Sequence, residues 1–215
     1  MSVRAHFVTV LALAILLAAM LFVAVPAARA QAPVGTIVQQ RGPCTVLREA
    51  TSAALTVGAP VFPTDRIVTG PEARIKVQFA DGTVVSVGSD SVVAIVDYVV
   101  APERTRLKAT LSLVLGVLRA VLPAGAAAGS FDVEGRTAVA SARSTDFVVD
   151  TRPDHTAVFV AAGRVGVAGK TAGPANTVVL EPGFGTDVPA GSPPSPPIRW
   201  GQRRVDDAIA RTTVP

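Results

Sequence analysis

The chain has 215 residues, 49% hydrophobic but only 5% aromatic, with one cysteine and a formal net charge of +4. A lone cysteine excludes an internal disulfide framework, so stability must come from a core, and this length suffices for one domain with a sizeable one. The basic residues are scattered, and only Arg203 and Arg204 adjoin, which excludes the clustered basic face that nucleic-acid binding requires.

The amino terminus reads as a secretory signal. Arg4 and His6 precede an unbroken apolar run from Phe7 to Val25, Pro26 ends it, and Ala28-Arg29-Ala30 places small residues at both recognition positions before a cut at Gln31. The rival reading is a retained anchor, because the run approaches the roughly 20 residues that span a bilayer. No cysteine stands just after the run, so a lipoprotein anchor is not expected. Removal of residues 1–30 leaves 18 basic against 16 acidic residues, a net charge of +2. No later segment is apolar enough to span. The run Leu111–Leu122 is broken by Gly116 and Arg119 and reads as two buried strands.

From Leu55 to Ser91 apolar residues alternate with polar ones, most regularly between Arg74 and Val87. That period sets one face of an extended chain against a core. Gly58, Pro60, Pro63, Gly70, Pro71, Gly82 and Gly88 punctuate the stretch as tight corners between short strands. The expected fold class is all-β, with many short strands and abundant β-branched residues. At Asp81-Gly82 a two-residue hairpin would split the apolar stripe between two faces. A three-residue connection, Asp81-Gly82-Thr83, pairs Phe79 with Val85 and Val77 with Val87 and keeps the stripe together. A slip of one residue flips a whole strand, so the longer turn or a solenoid corner is predicted.

The order of these pieces resembles the FecR domain of bacterial periplasmic proteins. The resemblance runs through Gly58, Thr64-Asp65-Arg66-Ile67-Val68-Thr69-Gly70, Ala73–Phe79, Asp81-Gly82-Thr83 and Ser91. It continues through Leu111–Arg119 and Val139-Ala140-Ser141-Ala142-Arg143-Ser144-Thr145-Asp146-Phe147. Val158-Phe159-Val160, Gly163–Val167 and Val178–Gly183 complete it. In all it spans about Gly35 to Val188. Ser144 stands where the family usually has glycine, which implies a backbone angle open to serine or a different corner. The resemblance implies a solenoid-like β body; the turn spacing fits that or a two-layer stack of strands. It also implies a part in envelope signalling. FecR-type regulators carry a cytoplasmic segment before a membrane helix, whereas six residues precede the apolar run here. The expectation is therefore the extracytoplasmic module without the anti-sigma segment.

The segments expected are a signal peptide at 1–30, a FecR-like β domain at 31–188, a proline-rich linker at 189–197 and a tail at 198–215. The linker, PAGSPPSPP, reads as an extended polyproline-like spacer. In the tail, Val205–Arg211 can form one or two helical turns with Val205, Ala208 and Ile209 on one side. Trp200, the only tryptophan, is expected to dock the tail onto the body rather than to stack on a sugar.

Chemistry-bearing residues are few. Beyond residue 30 one histidine, His155, remains, set in the turn Thr151–His155. No serine stands in a G-x-S-x-G elbow, and Gly88-Ser89-Asp90-Ser91 reads as a turn. Gly163–Thr171, GRVGVAGKT, has five residues between its outer glycines where a phosphate loop has four. Cys44 reads as a partly buried strand residue rather than an intermolecular bridge or reactive thiol, and Asp206-Asp207 lies on the tail. One histidine and one cysteine are too few for a zinc site. No catalytic, cofactor or metal residue is assigned. The reading is a periplasmic or secreted non-enzymatic module that binds an envelope protein, with strand edges as the expected means. The alternative is a structural or glycan-associated envelope protein. No nucleic-acid partner and no membrane span after signal cleavage are expected, and the partner and oligomeric state are left open.

Overall fold

A computed structural model describes residues 31–123, 129–171 and 176–215; the expected signal peptide lies outside them. In chain order the strands are β1 Gly35–Arg41, β2 Cys44–Arg48, β3 Thr51–Ala54, β4 Pro60–Val61, β5 Arg66–Thr69, β6 Arg74–Phe79, β7 Val84–Val87, β8 Val92–Val100 and β9 Arg106–Val121. They continue as β10 Ser130–Glu134, β11 Ala138–Ala142, β12 Asp146–Thr151, β13 His155–Ala162, β14 Val165–Gly169, β15 Val178–Leu180, β16 Phe184–Pro189 and β17 Ile198–Arg199. Among the described residues one α-helix, α1, spans Gln202–Thr212.

These strands form two layers that share β9. The first runs β4-β1-β6-β7-β9-β12-β13-β16-β17. The second runs β3-β2-β5-β8-β9-β10-β11-β14-β15. All these pairings are antiparallel except β9 with β10. The chain passes repeatedly from one layer to the other, so the expected all-β class holds and the solenoid-like winding and the two-layer stack are one architecture.

The run Leu111–Leu122, expected as two strands, lies in the single strand β9 and Leu122 just beyond it. Its first half pairs with β8 and β10 in the second layer, and its last six residues pair with β7 and β12 in the first. Gly116 marks the change of layer, at φ +93°. A Cβ there would stand 2.7 Å from Ser91 Cα, so the corner requires glycine on both conformational and steric grounds.

The alternation between Arg74 and Val87 does what its period predicts. Ile75, Val77, Phe79, Val85 and Val87 are each at most 4% exposed, and they join residues of both layers in one core between them. Two aromatic contacts cross that core. Phe79 stacks on Tyr98 with ring centroids 4.2 Å apart, and Phe131 meets Phe147 edge-on at 6.3 Å. The hairpin register differs from the expected one by two residues. Val77 faces Val85 and Ile75 faces Val87. The three-residue connection is Ala80-Asp81-Gly82, closed by Gly82 N–H donating to Phe79 C=O at 3.0 Å and Phe79 N–H to Thr83 C=O at 2.8 Å. A shift of two preserves the face of every side chain, so hydrophobic pattern alone could not distinguish the registers.

Ser144 lies outside the left-handed region, as the serine implied, and its hydroxyl donates to Pro123 C=O at 3.1 Å. The proline-rich stretch runs beside β16. Ser195 N–H donates to Asp187 C=O at 3.0 Å, and Thr186 Oγ1 donates to Ser195 C=O at 2.6 Å.

The tail helix is longer than the one or two turns expected, at eleven residues. It lies on the outer face of the first layer. A second apolar cluster forms there from Val117, Val148, Ala157, Phe159, Trp200 and Ala208. Trp200 stacks on Phe159 at 5.0 Å, as the docking role predicts. This needs Gly185 beneath it, because a Cβ would sit 2.5 Å from Trp200 Cε2. No described helix is long and apolar enough to cross a membrane.

Candidate interaction surface

Open layers leave edge strands, whose outward N–H and C=O groups are templates for another chain unless they are blunted. Four strands end the two layers, and the outer sides of Val38–Arg41 in β1 and Val96–Val100 in β8 also have no strand neighbour among the described residues. β4 has two residues and begins with Pro60; β17 has two and follows Pro196-Pro197. β15 has three and runs into Glu181-Pro182. β3, Thr51-Ser52-Ala53-Ala54, has neither proline nor charge, and all four residues are exposed.

The direction of its free groups follows from one bond. Leu55 N–H donates to Cys44 C=O at 2.9 Å, and the register pairs Ala53 with Val46 and Thr51 with Arg48. Hydrogen-bonded pairs alternate along an antiparallel ladder, so Thr51 and Ala53 bond inward to β2. The N–H and C=O of Ser52 and Ala54 point away, with no main-chain partner among the described residues.

The hairpin that carries this edge is braced at its turn end. Arg48 Nε and Nη2 reach Asp65 Oδ1 and Oδ2 at 2.7 and 2.8 Å. Asp65 is fully buried and also accepts Phe62 N–H at 2.9 Å. The Arg48 guanidinium lies 4.2 Å over the Phe62 ring. A bidentate pair with a stacked guanidinium fixes direction as well as distance, so the edge is presented preformed.

A second polar cluster is sealed between the layers. Asp81 accepts from Thr83 N–H at 3.0 Å, Thr83 Oγ1 at 2.7 Å, Tyr98 Oη at 2.8 Å and Arg106 Nη1 at 2.7 Å. Arg106 also donates to Arg143 C=O at 2.9 Å and faces the Phe131 ring. Burial works to raise the Asp81 pKa, but the bonds from Thr83, Tyr98 and Arg106 together hold it below the ordinary carboxylate value. Burial, with the Asp81 charge beside it, pushes the Tyr98 phenol upward. Every lone-pair direction of the carboxylate is used, so the cluster is a brace between layers rather than an acid or base awaiting substrate. Asp81-Gly82 was legible as a turn. Its partners were not, since Tyr98 and Arg106 lie 17 and 25 residues further on.

The chemistry-bearing residues are not brought together. His155 opens β13, and its ring Nδ1 lies 3.0 Å from Asp154 Oδ1; that bond holds the exposed Asp154 carboxyl below its usual value. His155 lines a cavity of about 120 Å³ together with Val148, Asp150, Arg152, Ala157, Trp200, Arg204, Asp207, Ala208 and Arg211. None of these lining residues offers a hydroxyl or thiol for His155 to activate. Cys44 is 2% exposed in β2, and burial pushes its thiol up to about 11, so it is a poor nucleophile at neutral pH. Ser91 is buried and caps the corner, its hydroxyl accepting Val117 N–H at 3.1 Å. Gly163 forms the β13–β14 turn, and Val165–Gly169 is strand β14. Asp207 lies on α1, near Arg211. Among the described residues no three metal-ligating side chains form a cluster.

Comparison with known proteins agrees with this architecture. Residues 65–166 match the family model described as FecR protein, a narrower span than the Gly35–Val188 resemblance. Two crystal structures of a putative anti-sigma factor from Parabacteroides distasonis ATCC 8503 share the fold. Each has TM-score 0.52 and 20% identity over 67% of this chain. The chain spans 63% and 64% of their lengths, respectively. No curated relative matches it. The match begins at Asp65, the buried partner of Arg48, and includes the Asp81–Tyr98–Arg106 brace and the β9 corner: residues 65–166 are similar to a FecR domain.

Proposed function

We propose that this chain is an exported, non-enzymatic FecR-type module that binds an extended segment of a protein partner in the cell envelope. The observation that carries the reading is the bare outer edge of β3, beside three edges that are short and flanked or interrupted by proline. An added strand would find two N–H and two C=O groups at Ser52 and Ala54, with register set by the backbone. The FecR match supports a regulatory role, and the Ala28-Arg29-Ala30 site supports export. The absence of a nucleophile beside His155 and the full satisfaction of Asp81 support a binding rather than a catalytic role. The structural or glycan-associated alternative gains nothing from Trp200, which is 8% exposed beneath α1.

The test is capture from envelope extract by the purified protein and by its Ser52→Pro variant. Proline at this position removes an outward donor and leaves the β2 ladder intact. A specific protein retained by the wild type and by Ser52→Ala, but lost with Ser52→Pro, is the expected result. Equal retention by Ser52→Pro would reject β3 as the docking edge.

A further inference from the structure

α1 covers part of the outer face of the first layer, and no described helix lies on that of the second. On this second face, across β10, β11 and the start of β14, lies an open depression of about 530 Å³, within the size range of ligand sites. Strand alternation places its side chains. Phe131, Val133, Ala140, Ala142 and Val165 are buried toward the core, so Ser130, Asp132, Ser141 and Arg143 face outward. The register sets Asp132 opposite Ser141 and Ser141 opposite Gly166. Continued one residue past Ala142 and Val165, it brings Arg143 beside Arg164. Like charges opposite each other in a sheet cost stability, and among the described residues no carboxylate pairs with Arg143. Arg164 has Glu181 at 2.8 Å, in a pair whose side chains are 74% and 51% exposed, and exposed pairs contribute little. The side chains of Ser130, Asp132, Ser141 and Arg143 all line the depression, and none has a hydrogen-bond or ion-pair partner among the described residues. Ser144, also in the lining, is tied to Pro123 C=O. Nothing in the fold requires glycine at 166. Its φ is not positive, and a Cβ would meet nothing nearer than Thr177 Cγ2 at 3.7 Å, an ordinary contact. The missing side chain keeps the surface beside Ser141 open.

We propose that this depression binds a carboxylate-bearing sugar, as one unit of an acidic glycan. The carboxylate meets the guanidinium groups of Arg143 and Arg164, whose planar forks match it, and it offsets their mutual repulsion. Asp132 only accepts hydrogen bonds when ionised, so it requires a donor from the ligand, which a ring hydroxyl supplies. Ser130 and Ser141 can each donate or accept. A phosphate group carries more negative charge than a carboxylate at neutral pH, and Asp132 in the same depression repels it more. An extended peptide finds no main-chain partners on this floor, because β10, β11 and β14 already bond to one another. None of the lining residues is aromatic, so recognition rests on polar groups, which suits a hydroxylated ligand. β3 lies at the opposite side of the second layer, beyond β2, β5, β8 and β9, so the inference does not depend on what β3 binds.

The test follows the backbone amide resonances of the purified, isotopically labelled protein during titration with glucuronate, galacturonate and N-acetylmuramate. Glucose, which lacks the carboxylate, and acetate, which lacks the hydroxyls, are the controls. Saturable shifts at Ser130, Asp132, Ser141, Arg143 and Arg164 with a sugar acid, and none with glucose or acetate at the same concentration, are expected. Arg143→Ala should weaken that binding about tenfold or more. Gly166→Leu, whose side chain occupies the space beside Ser141, should abolish it, and unfolding midpoints measured alongside show that both variants fold. No shift with any of the three sugar acids overturns the proposal. An equal response to glucose or to acetate also overturns it, as does a titration that either folded variant leaves unchanged. Each of these outcomes leaves the β3 capture result untouched.

Discussion

The carboxylate of Asp81 and the guanidinium of Arg106 form an ion pair 2.7 Å apart, with 1% and 0% of their side chains exposed. They join the β6–β7 turn to the start of β9 and so hold the two layers in register at one end. Replacing one partner leaves the other charge buried and uncompensated, which costs about 3–5 kcal/mol. Asp81→Asn is therefore expected to lower the urea midpoint well beyond a typical surface substitution. The pH dependence has a definite sign. Because the folded pKa of Asp81 is depressed, its contribution is complete above the unfolded value of about 3.9 and is lost as pH falls through the folded value. Wild type and Asp81→Asn should differ most near neutrality and converge in acid. A gap that widens in acid would mean the carboxyl is not stabilised as described.

Phe79 and Lys76 test the assigned faces of β6. Phe79 is 4% exposed and stacked on Tyr98, so Phe79→Ala should cost about 3–5 kcal/mol. Lys76→Ala, on the opposite face, should change stability by no more than about 0.5 kcal/mol. Denaturant unfolding of the two variants side by side measures both, and equal midpoints would contradict the register.

Gly185 is a local test of tail docking. A methyl group there collides with the Trp200 ring, so Gly185→Ala should shift tryptophan emission to the red while the far-ultraviolet β signal persists. Trp200 is the only tryptophan, so the emission reports on the tail alone. Unchanged emission would show that the ring does not rest on the Gly185 backbone.

His155→Ala is expected to leave the unfolding midpoint and partner capture nearly unchanged, since its bond to Asp154 lies at the surface. A hydrolase panel run on both proteins completes the test. General-base removal typically lowers a rate by about 10²–10⁴-fold, so a wild-type turnover lost in the variant would assign catalysis to this turn.

The sequence revealed the strands wherever one face is buried, because the two-residue period marks the core side of β6 and β7 directly. The shift of two in their register was invisible, since it exchanges apolar partners for one another. Gly116 was legible as an interruption but not as a corner, because only the fold shows that β9 serves both layers. The helix was underestimated because arginines and aspartates occupy five of its eleven positions, and ion pairs to Asp150 and Asp187 join the apolar contacts in docking it. The bare edge was the least legible feature. Thr51–Ala54 shows no alternation, and being exposed on every residue it leaves no hydrophobic signature.

The most direct measurement of the central claim is amide hydrogen exchange of the purified protein with and without its captured partner. Binding by strand addition should slow exchange at Ser52 and Ala54, the outward amides of β3, while Thr51 and Ala53, already bonded to β2, change less. Slowed exchange confined to other elements, with Ser52 and Ala54 as fast in the complex as in the free protein, would contradict the account.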